Sequence, residues 1–310
     1  MFLPFFAMIL TFLMPSCTHM SADEEMRTLS DAEQQKLDEF KAEVELGRNM
    51  AGRLLQFYGT VSDENLVNYV NTVGKRVAQF GDYPDRNYMF QILDTSSVNA
   101  FACPGGYILI TLGSLKLVKS EAELAMILGH EVAHVGKQHM FSTLKKMSEK
   151  EREEQAKKID DKAGFSGDPS LIVRKRPSQE KGTASGAILA RYLSGSSGAG
   201  FNLLQVAKAG MNVILEKGLD KRMEFEADTE GVKYAIRAGY SPDAMIHFLS
   251  RLEDNKKSNQ KNTLIIEKTH PKIADRKELI SKLLLDMSAK DMIGAEGESR
   301  FKEKTKGLVK

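Results

Sequence analysis

The 310-residue sequence predicts an α+β fold that is mainly helical, with a small β-sheet beside one buried helix. Three observations lead to this prediction. Apolar residues recur at helical spacing along most of the chain, and two short apolar runs at 88–93 and 107–112 are typical of strands. In addition, Ser120 and Glu123 form a capping-box pattern directly before an apolar helical segment.

The other elements are expected from their caps and apolar spacing. They are a helix over Asp31–Leu55, a second from Ser62 to near Gly81, the central helix from 121 past His134, and later helices over 201–217, 221–238, 241–252 and 273–287. Gly239 is expected to end the 221–238 helix, since glycine readily takes the left-handed conformation there. The order of elements favours one domain over residues 23–290.

Two segments are expected to lie outside the ordered core. Residues 142–200 are predicted to be a charged, flexible insert, since 194–200 is rich in glycine and serine. Within it, 13 of the 18 residues from Lys145 to Lys162 are charged, which is typical of either a solvated helix or a disordered segment. Residues 291–310 are predicted to be a charged tail that frays.

The overall composition narrows the class of protein. Lys and Arg number 44 against 42 Asp and Glu, a net charge of +2, which argues against nucleic acid as a partner. Only two cysteines are present, so no disulfide framework holds the fold. Only the N-terminal apolar run approaches membrane-spanning length, which excludes a polytopic membrane protein.

The N-terminus predicts export. Residues Phe2 to Met14 are apolar apart from one threonine, the length of a signal-peptide apolar region. Ser16-Cys17 then resembles a bacterial lipobox, so residues 1–17 are interpreted as a signal peptide with Cys17 as the lipidated residue. This places the protein on the periplasmic face of a bacterial membrane, as an outer-membrane lipoprotein. An ordinary signal peptide or a mis-set start codon is the alternative.

The sharpest chemical pattern is His130-Glu131-Val132-Ala133-His134. Residues four apart project from the same helix face, so the two imidazoles can hold one Zn²⁺ while Glu131 takes a proton from a zinc-bound water. The alternative is a pair of partly buried histidines on a core helix.

A catalytic zinc requires a third protein ligand. His139 would point about 140° away from His134 on a continuous helix, so it is expected to be a surface histidine. His247 is expected to be a packing residue of an amphipathic helix.

Glu224 and Asp228 are better candidates, because they share a helix face, whereas Glu226 points elsewhere. Glu224 can ligate the metal while Asp228 hydrogen-bonds a ligating imidazole. A solvated acidic helix face is the alternative.

Together, His130–His134, Glu224–Asp228 and Asn99–Gly106 resemble motifs of the zinc metallopeptidases of the CAAX prenyl protease/HtpX family (metallopeptidase family forty-eight). The resemblance covers about residues 43–285 and is closest to the soluble BepA/LoiP/OMA1-like branch. It implies a zincin-like (gluzincin) metalloprotease domain with one Zn²⁺ per chain, and it implies that Glu224 is the third zinc ligand.

Thr269-His270-Pro271 and the following Arg276 resemble a further element of that family. The resemblance makes His270 a candidate fourth ligand or oxyanion helper, and it places Arg276, like Asp228, among the supporting or regulatory residues. A histidine that only precedes a helix remains the alternative for His270.

The function expected from these residues is a zinc-dependent endopeptidase that cleaves unfolded or misassembled envelope proteins. Strand 107–112 is expected at the edge of the cleft, where an extended substrate can add as a further strand. One alternative is a zinc-containing periplasmic chaperone or assembly factor with little proteolysis. A lipoprotein adaptor with a vestigial site is disfavoured by the intact Glu131.

Overall fold

The computed structural model describes residues 29–160, 203–258, 269–288 and 293–308. The proposed signal peptide with Cys17 lies outside the described residues, as does the 161–200 part of the expected insert. Within the described ranges, no helix combines the length and the apolar character needed to cross a membrane.

Two capped helices begin the fold. Helix α1 spans Asp31–Tyr58, and the side chain of Ser30 accepts a hydrogen bond from the backbone N–H of Glu33 at its start. Helix α2 spans Glu64–Ala78 and is capped in the same way by Asp63. Both helices form where polar capping residues precede an amphipathic segment, as the sequence predicts.

A three-stranded sheet follows, consisting of β1 (Met89–Leu93), β2 (Ala100–Cys103) and β3 (Tyr107–Thr111) in the order β1-β3-β2. Strand β1 runs parallel to β3, and β2 runs antiparallel to it. The expected edge position of strand 107–112 is therefore wrong. A tight turn at Pro104–Gly106 folds β2 back onto β3, so β3 is central and β1 and β2 are the two edge strands.

The remaining helices are numbered in chain order. They are α3 (Leu112–Leu117), α4 (Glu121–Gly136), α5 (His139–Lys146), α6 (Glu149–Asp160), α7 (Leu203–Asn212) with a π-helical turn at Val213–Lys217, α8 (Lys221–Arg237), α9 (Ala244–Ser258), α10 (Ile273–Leu285) and α11 (Glu298–Lys304). Gly239, at φ +89°, follows α8 as expected.

The sheet separates two hydrophobic clusters. Ile108 and Ile110 of β3 face a cluster built mainly on α2, α4, α8 and α9, whereas Leu109 faces a second cluster with α1, α5 and α7. Successive strand residues point to opposite faces, so a strand covered on both faces is apolar at every position. The run of apolar residues at 107–110 reflects this burial.

Part of the expected flexible insert is folded. Residues 142–160 form most of α5 and all of α6, and α6 packs on α7. Arg152, Ala156 and Ile159 lie on the buried face of α6. The Arg152 guanidinium donates hydrogen bonds to the carbonyls of Leu144 and Met147 at 3.1 and 2.6 Å, so this buried charged group is hydrogen-bonded.

The expectation that the C-terminal tail frays is wrong for the part that the structure describes. Phe301 of α11 is buried, and Arg300 pairs with Glu121 at 2.6 Å. The backbone N–H of Ala122 also donates to the carbonyl of Glu296. The tail is ordered because the buried carboxylate of Glu121, at the start of α4, binds it.

Candidate metal centre

Helix α4 carries His130, Glu131 and His134. The Ser120 side chain caps its N-terminus by accepting from the backbone N–H of Glu123 at 3.1 Å, as the capping pattern predicts. Every residue of α4 is buried, and the three motif side chains are therefore enclosed by other elements. Such a central helix presents its polar residues to the protein interior rather than to water.

Helix α8 crosses α4 at two glycines. A methyl group built on Gly231 would lie 2.5 Å from the backbone nitrogen of His130, and one on Gly129 would lie 2.6 Å from the carbonyl oxygen of Gly231. Only glycine permits this close backbone approach. The crossing places Glu224 and Asp228, one turn apart on α8, against the histidines of α4.

Four donor atoms converge between these helices. The Nε2 atoms of His130 and His134 lie 3.0 Å apart, and each is 3.6 Å from an oxygen of Glu224. His270, which precedes α10, brings its Nε2 to 3.6 Å from Glu224 Oε2. One donor atom from each of the four residues lies within 4.8 Å of the other three.

This arrangement fits a zinc ion. Tetrahedral zinc with bonds of about 2.0–2.1 Å to nitrogen requires donor atoms about 3.3 Å apart, close to the separations observed here. Glu224 Oε2 is buried and has no hydrogen-bond partner among the described residues. A buried carboxylate oxygen without a partner is costly, and a cation at this point removes the cost.

Asp228 and Arg276 hold the ring of His130. Asp228 Oδ1 lies 2.9 Å from His130 Nδ1, on the side of the ring away from the other donors. Arg276 of α10 donates to both oxygens of Asp228, at 2.8 and 2.6 Å. All three side chains are buried. This paired carboxylate behind a ligand histidine is a common support of protein metal sites.

Burial perturbs the titration of the site. It raises the pKa of Glu131 to about 7 and lowers the pKa of His134 well below its usual range. Burial also works against the charged form of His130, but the hydrogen bond and charge of Asp228 outweigh it and raise the pKa to about 9. Burial by itself would raise the pKa of Glu224, but the neighbouring histidines outweigh this effect and lower that pKa.

The expected surface position of His139 is wrong. His139 is buried, and its Nδ1 lies 2.9 Å from Nδ1 of His134. Helix α4 ends at Gly136 and Gln138 adopts the left-handed conformation, so the helical extrapolation does not apply. Glu226 points away from the donor cluster, as expected, and meets His139 at 3.3 Å.

His247 also differs from expectation, since it is exposed rather than packed. It occupies the solvent face of α9, beside the buried Phe248 and Leu249.

A narrow cleft leads to the donors. It is bounded by β2, by the segment after the π-helical turn and by the chain before α10; its lining includes Ala100, Phe101, Glu131, Leu219 and His270. The described residues leave a cavity of about 30 Å³, which has room for water but not for a peptide.

Two of the segments that bound the cleft pack closely on each other. Gly218, at φ +74°, lies so near Thr269 that a methyl group on Gly218 would lie 2.4 Å from the Thr269 carbonyl oxygen.

Two buried histidines one helical turn apart, a glutamate between them and a carboxylate from a crossing helix define the centre of a zinc metallopeptidase. The mainly helical α+β fold with its small sheet agrees with the zincin-like expectation. The model of peptidase family M48 matches residues 64–284. Because this match covers more than half of the chain, the chain belongs to that family of zinc-dependent metallopeptidases.

Individual relatives agree with this membership. The chain is 26% identical over 211 residues to the beta-barrel assembly-enhancing protease of Yersinia pestis, and 24% identical over 229 residues to that of Escherichia coli (strain K12). These alignments cover 68% and 74% of this chain but 37% and 41% of the relatives. The mitochondrial metalloendopeptidase OMA1 of Schizosaccharomyces pombe is 25% identical over 222 residues, covering 72% of this chain and 54% of that protein. The predicted resemblance to the BepA and OMA1-like branch is confirmed.

Proposed function

We propose that this chain is a zinc-dependent metalloendopeptidase in which His130, His134 and Glu224 hold the metal and Glu131 is the general base. The observation that carries the proposal is the buried Oε2 of Glu224, which accepts no hydrogen bond from the described residues, together with two histidine Nε2 atoms that lie 3.0 Å apart. A buried carboxylate and two imidazoles in this geometry form a set of donor atoms suited to a divalent cation.

The chain's own residues supply proton transfer and orientation. Zinc held by His130, His134 and Glu224 would supply an acidified water molecule and a polarised scissile carbonyl. Glu131 lines the same cleft as His134 and Glu224, so its carboxylate accepts the proton of the attacking water and later donates it to the leaving amine nitrogen. Asp228 keeps His130 oriented throughout.

The substrate is proposed to bind as an extended segment along β2. Ala100, Phe101 and Ala102 of β2 line the cleft, and β2 pairs with β3 alone among the described strands. The outer edge of a strand offers unpaired N–H and C=O groups to a peptide. A substrate segment can pair with such an edge only when it is not paired within its own fold, which favours unfolded or misassembled proteins as substrates. Gly218 and Thr269 must separate to admit it.

The biological setting is proposed from the N-terminus and the relatives. The apolar run Phe2–Met14 followed by Cys17 supports export and a lipid anchor on the periplasmic face of the outer membrane. Two relatives are named as beta-barrel assembly-enhancing proteases. Together these features support protein quality control in the cell envelope, with misassembled envelope proteins as substrates.

One experiment tests the enzyme and separates it from a zinc-containing chaperone. Zinc content and the rate of casein degradation are measured for the wild type and for Glu131→Gln. Both proteins are expected to hold one zinc, because the ligands are intact. The variant is expected to lose about 100-fold or more in rate, since the proton acceptor is gone. Equal rates in the two proteins would refute this role for Glu131, and wild-type protein that binds zinc without degrading casein would favour the chaperone.

A further inference from the structure

The second ligand histidine has an unexpected neighbour. His134 directs Nε2 toward the donor cluster, while its Nδ1 lies 2.9 Å from Nδ1 of His139. Both rings are buried. On the far side, Nε2 of His139 lies 3.3 Å from Oε2 of Glu226, whose side chain is about half exposed. A continuous line of hydrogen-bonding groups thus runs from the donor cluster to the protein surface.

The backbone turns sharply between α4 and α5, directly before His139. Gln138 has φ +53°, the only non-glycine residue with positive φ in the described part of the chain. Such a conformation costs about 1–3 kcal/mol and persists where its surroundings enforce it. Here the Gln138 side chain donates to Glu43 at 2.9 Å, and the fully buried Glu43 also accepts from the backbone N–H of Gly105. The turn brings His139 back against His134.

We propose that His139 is a positioning residue that fixes the metal-binding tautomer of His134, with Glu226 as the outer acceptor. The proton positions follow from the distances. Metal binding uses the lone pair of His134 Nε2, so the proton of the neutral ring is on Nδ1. That N–H donates to His139 Nδ1, which must then be unprotonated. The proton of His139 is consequently on Nε2 and is donated to Glu226.

The two ligand histidines therefore have different supports. His130 Nδ1 lies 2.9 Å from Asp228, a buried carboxylate to which Arg276 also donates. His134 donates to a neutral imidazole, and the charge of Glu226 is one ring further away, 3.9 Å from Lys137 Nζ. Outer partners of this kind orient the ligand ring, and their loss typically weakens metal binding about 10- to 100-fold.

A matched pair of substitutions isolates the hydrogen bond from packing. Leucine and asparagine have nearly the same shape, but only asparagine offers an acceptor oxygen at the position of His139 Nδ1. Zinc affinity is measured by chelator competition for the wild type, His139→Leu, His139→Asn and the exposed-histidine control His247→Asn. We expect His139→Leu to bind zinc about 10- to 100-fold more weakly, His139→Asn to recover most of that loss, and the control to match the wild type.

Equal zinc affinity of the leucine and asparagine variants, whether normal or reduced, would overturn the proposal. If the leucine variant does not fold, long-range ¹H–¹⁵N spectra of the zinc-loaded wild type decide. Protons on His134 Nδ1 and His139 Nε2 support the proposal, and a proton on His139 Nδ1 overturns it. The inference rests on the proposed metal site but not on proteolysis. If the wild type binds no zinc, the proposed metal site and this inference are both overturned. If the wild type degrades casein but the leucine and asparagine variants bind zinc equally well, this inference alone is overturned.

Discussion

Replacing Gly231 with alanine tests whether the crossing of α4 and α8 assembles the metal centre. The added methyl carbon would lie 2.5 Å from the backbone nitrogen of His130 and 2.6 Å from the carbonyl carbon of Gly129. Non-bonded heavy atoms are most stable at about 3.5–4.0 Å, so the two helices must move apart by about 1 Å. Such a shift carries Glu224 and Asp228 away from the histidines.

Two effects of opposite sign determine the stability of this variant. Alanine is favoured over glycine in a helix by about 1 kcal/mol. Overpacking a close contact costs about 1–3 kcal/mol, and occasionally more. Because both contacted atoms belong to the backbone, neither can rotate away, and the upper end of that range applies. We expect Gly231→Ala to lower the free energy of unfolding by about 2 kcal/mol and to weaken zinc binding about tenfold or more.

Gly52→Ala in α1 is the matched control, because a methyl group there has no heavy atom within 4 Å. This substitution should stabilise the protein by about 0.5–1 kcal/mol and leave zinc affinity unchanged. Denaturant unfolding in the presence of a chelator measures stability without the metal, and chelator competition measures zinc affinity. If Gly231→Ala is as stable as Gly52→Ala and binds zinc like the wild type, the crossing does not set the site.

Three further predictions concern single side chains. Glu224→Ala should lose zinc, because Glu224 belongs to the donor cluster. Glu226→Ala should still hold zinc, because Glu226 acts on the metal only through His139. Metal analysis after gel filtration compares the two variants, and zinc held without Glu224 would exclude it as a ligand. Cys17→Ala should move the protein from the membrane to the soluble fraction, and identical fractionation of variant and wild type would contradict lipid anchoring. His270→Ala should raise basal casein cleavage and modestly lower zinc affinity, because His270 Nε2 lies 3.6 Å from Glu224 Oε2, where an imidazole bound to the metal would restrict access to it. A roughly 100-fold fall in rate with zinc retained would instead assign His270 to oxyanion stabilisation.

The sequence predicts those features that depend on local spacing. The cap at Ser120 and the four-residue separation of His130 and His134 determine the start of α4 and the face that it presents. The same reasoning places Glu224 and Asp228 together on α8. Each prediction needs only one turn of a regular helix, and the structure follows it.

Features that depend on tertiary contacts were not predictable in this way. Strand β2 has only four residues and exists because the turn at Pro104–Gly106 pairs it with β3. The burial of His139 depends on the left-handed Gln138, which is held by the distant Glu43. Order in the tail likewise depends on Glu121, far away in sequence. The positive φ of a glutamine has no signature in composition or spacing.

The contacts of Asp228 support the histidine side of the site through the protein's own side chains. Its bonds to Arg276 and its contact with His130 connect α4, α8 and α10 through side chains of the protein alone. Removing one partner of a buried ion pair costs about 3–5 kcal/mol, because the other charge is left buried and unpaired, so Asp228 and Arg276 depend on each other. Glu224, in contrast, has an oxygen that no described residue satisfies. The fold therefore fixes the histidine side of the centre and leaves the carboxylate side for the metal to complete.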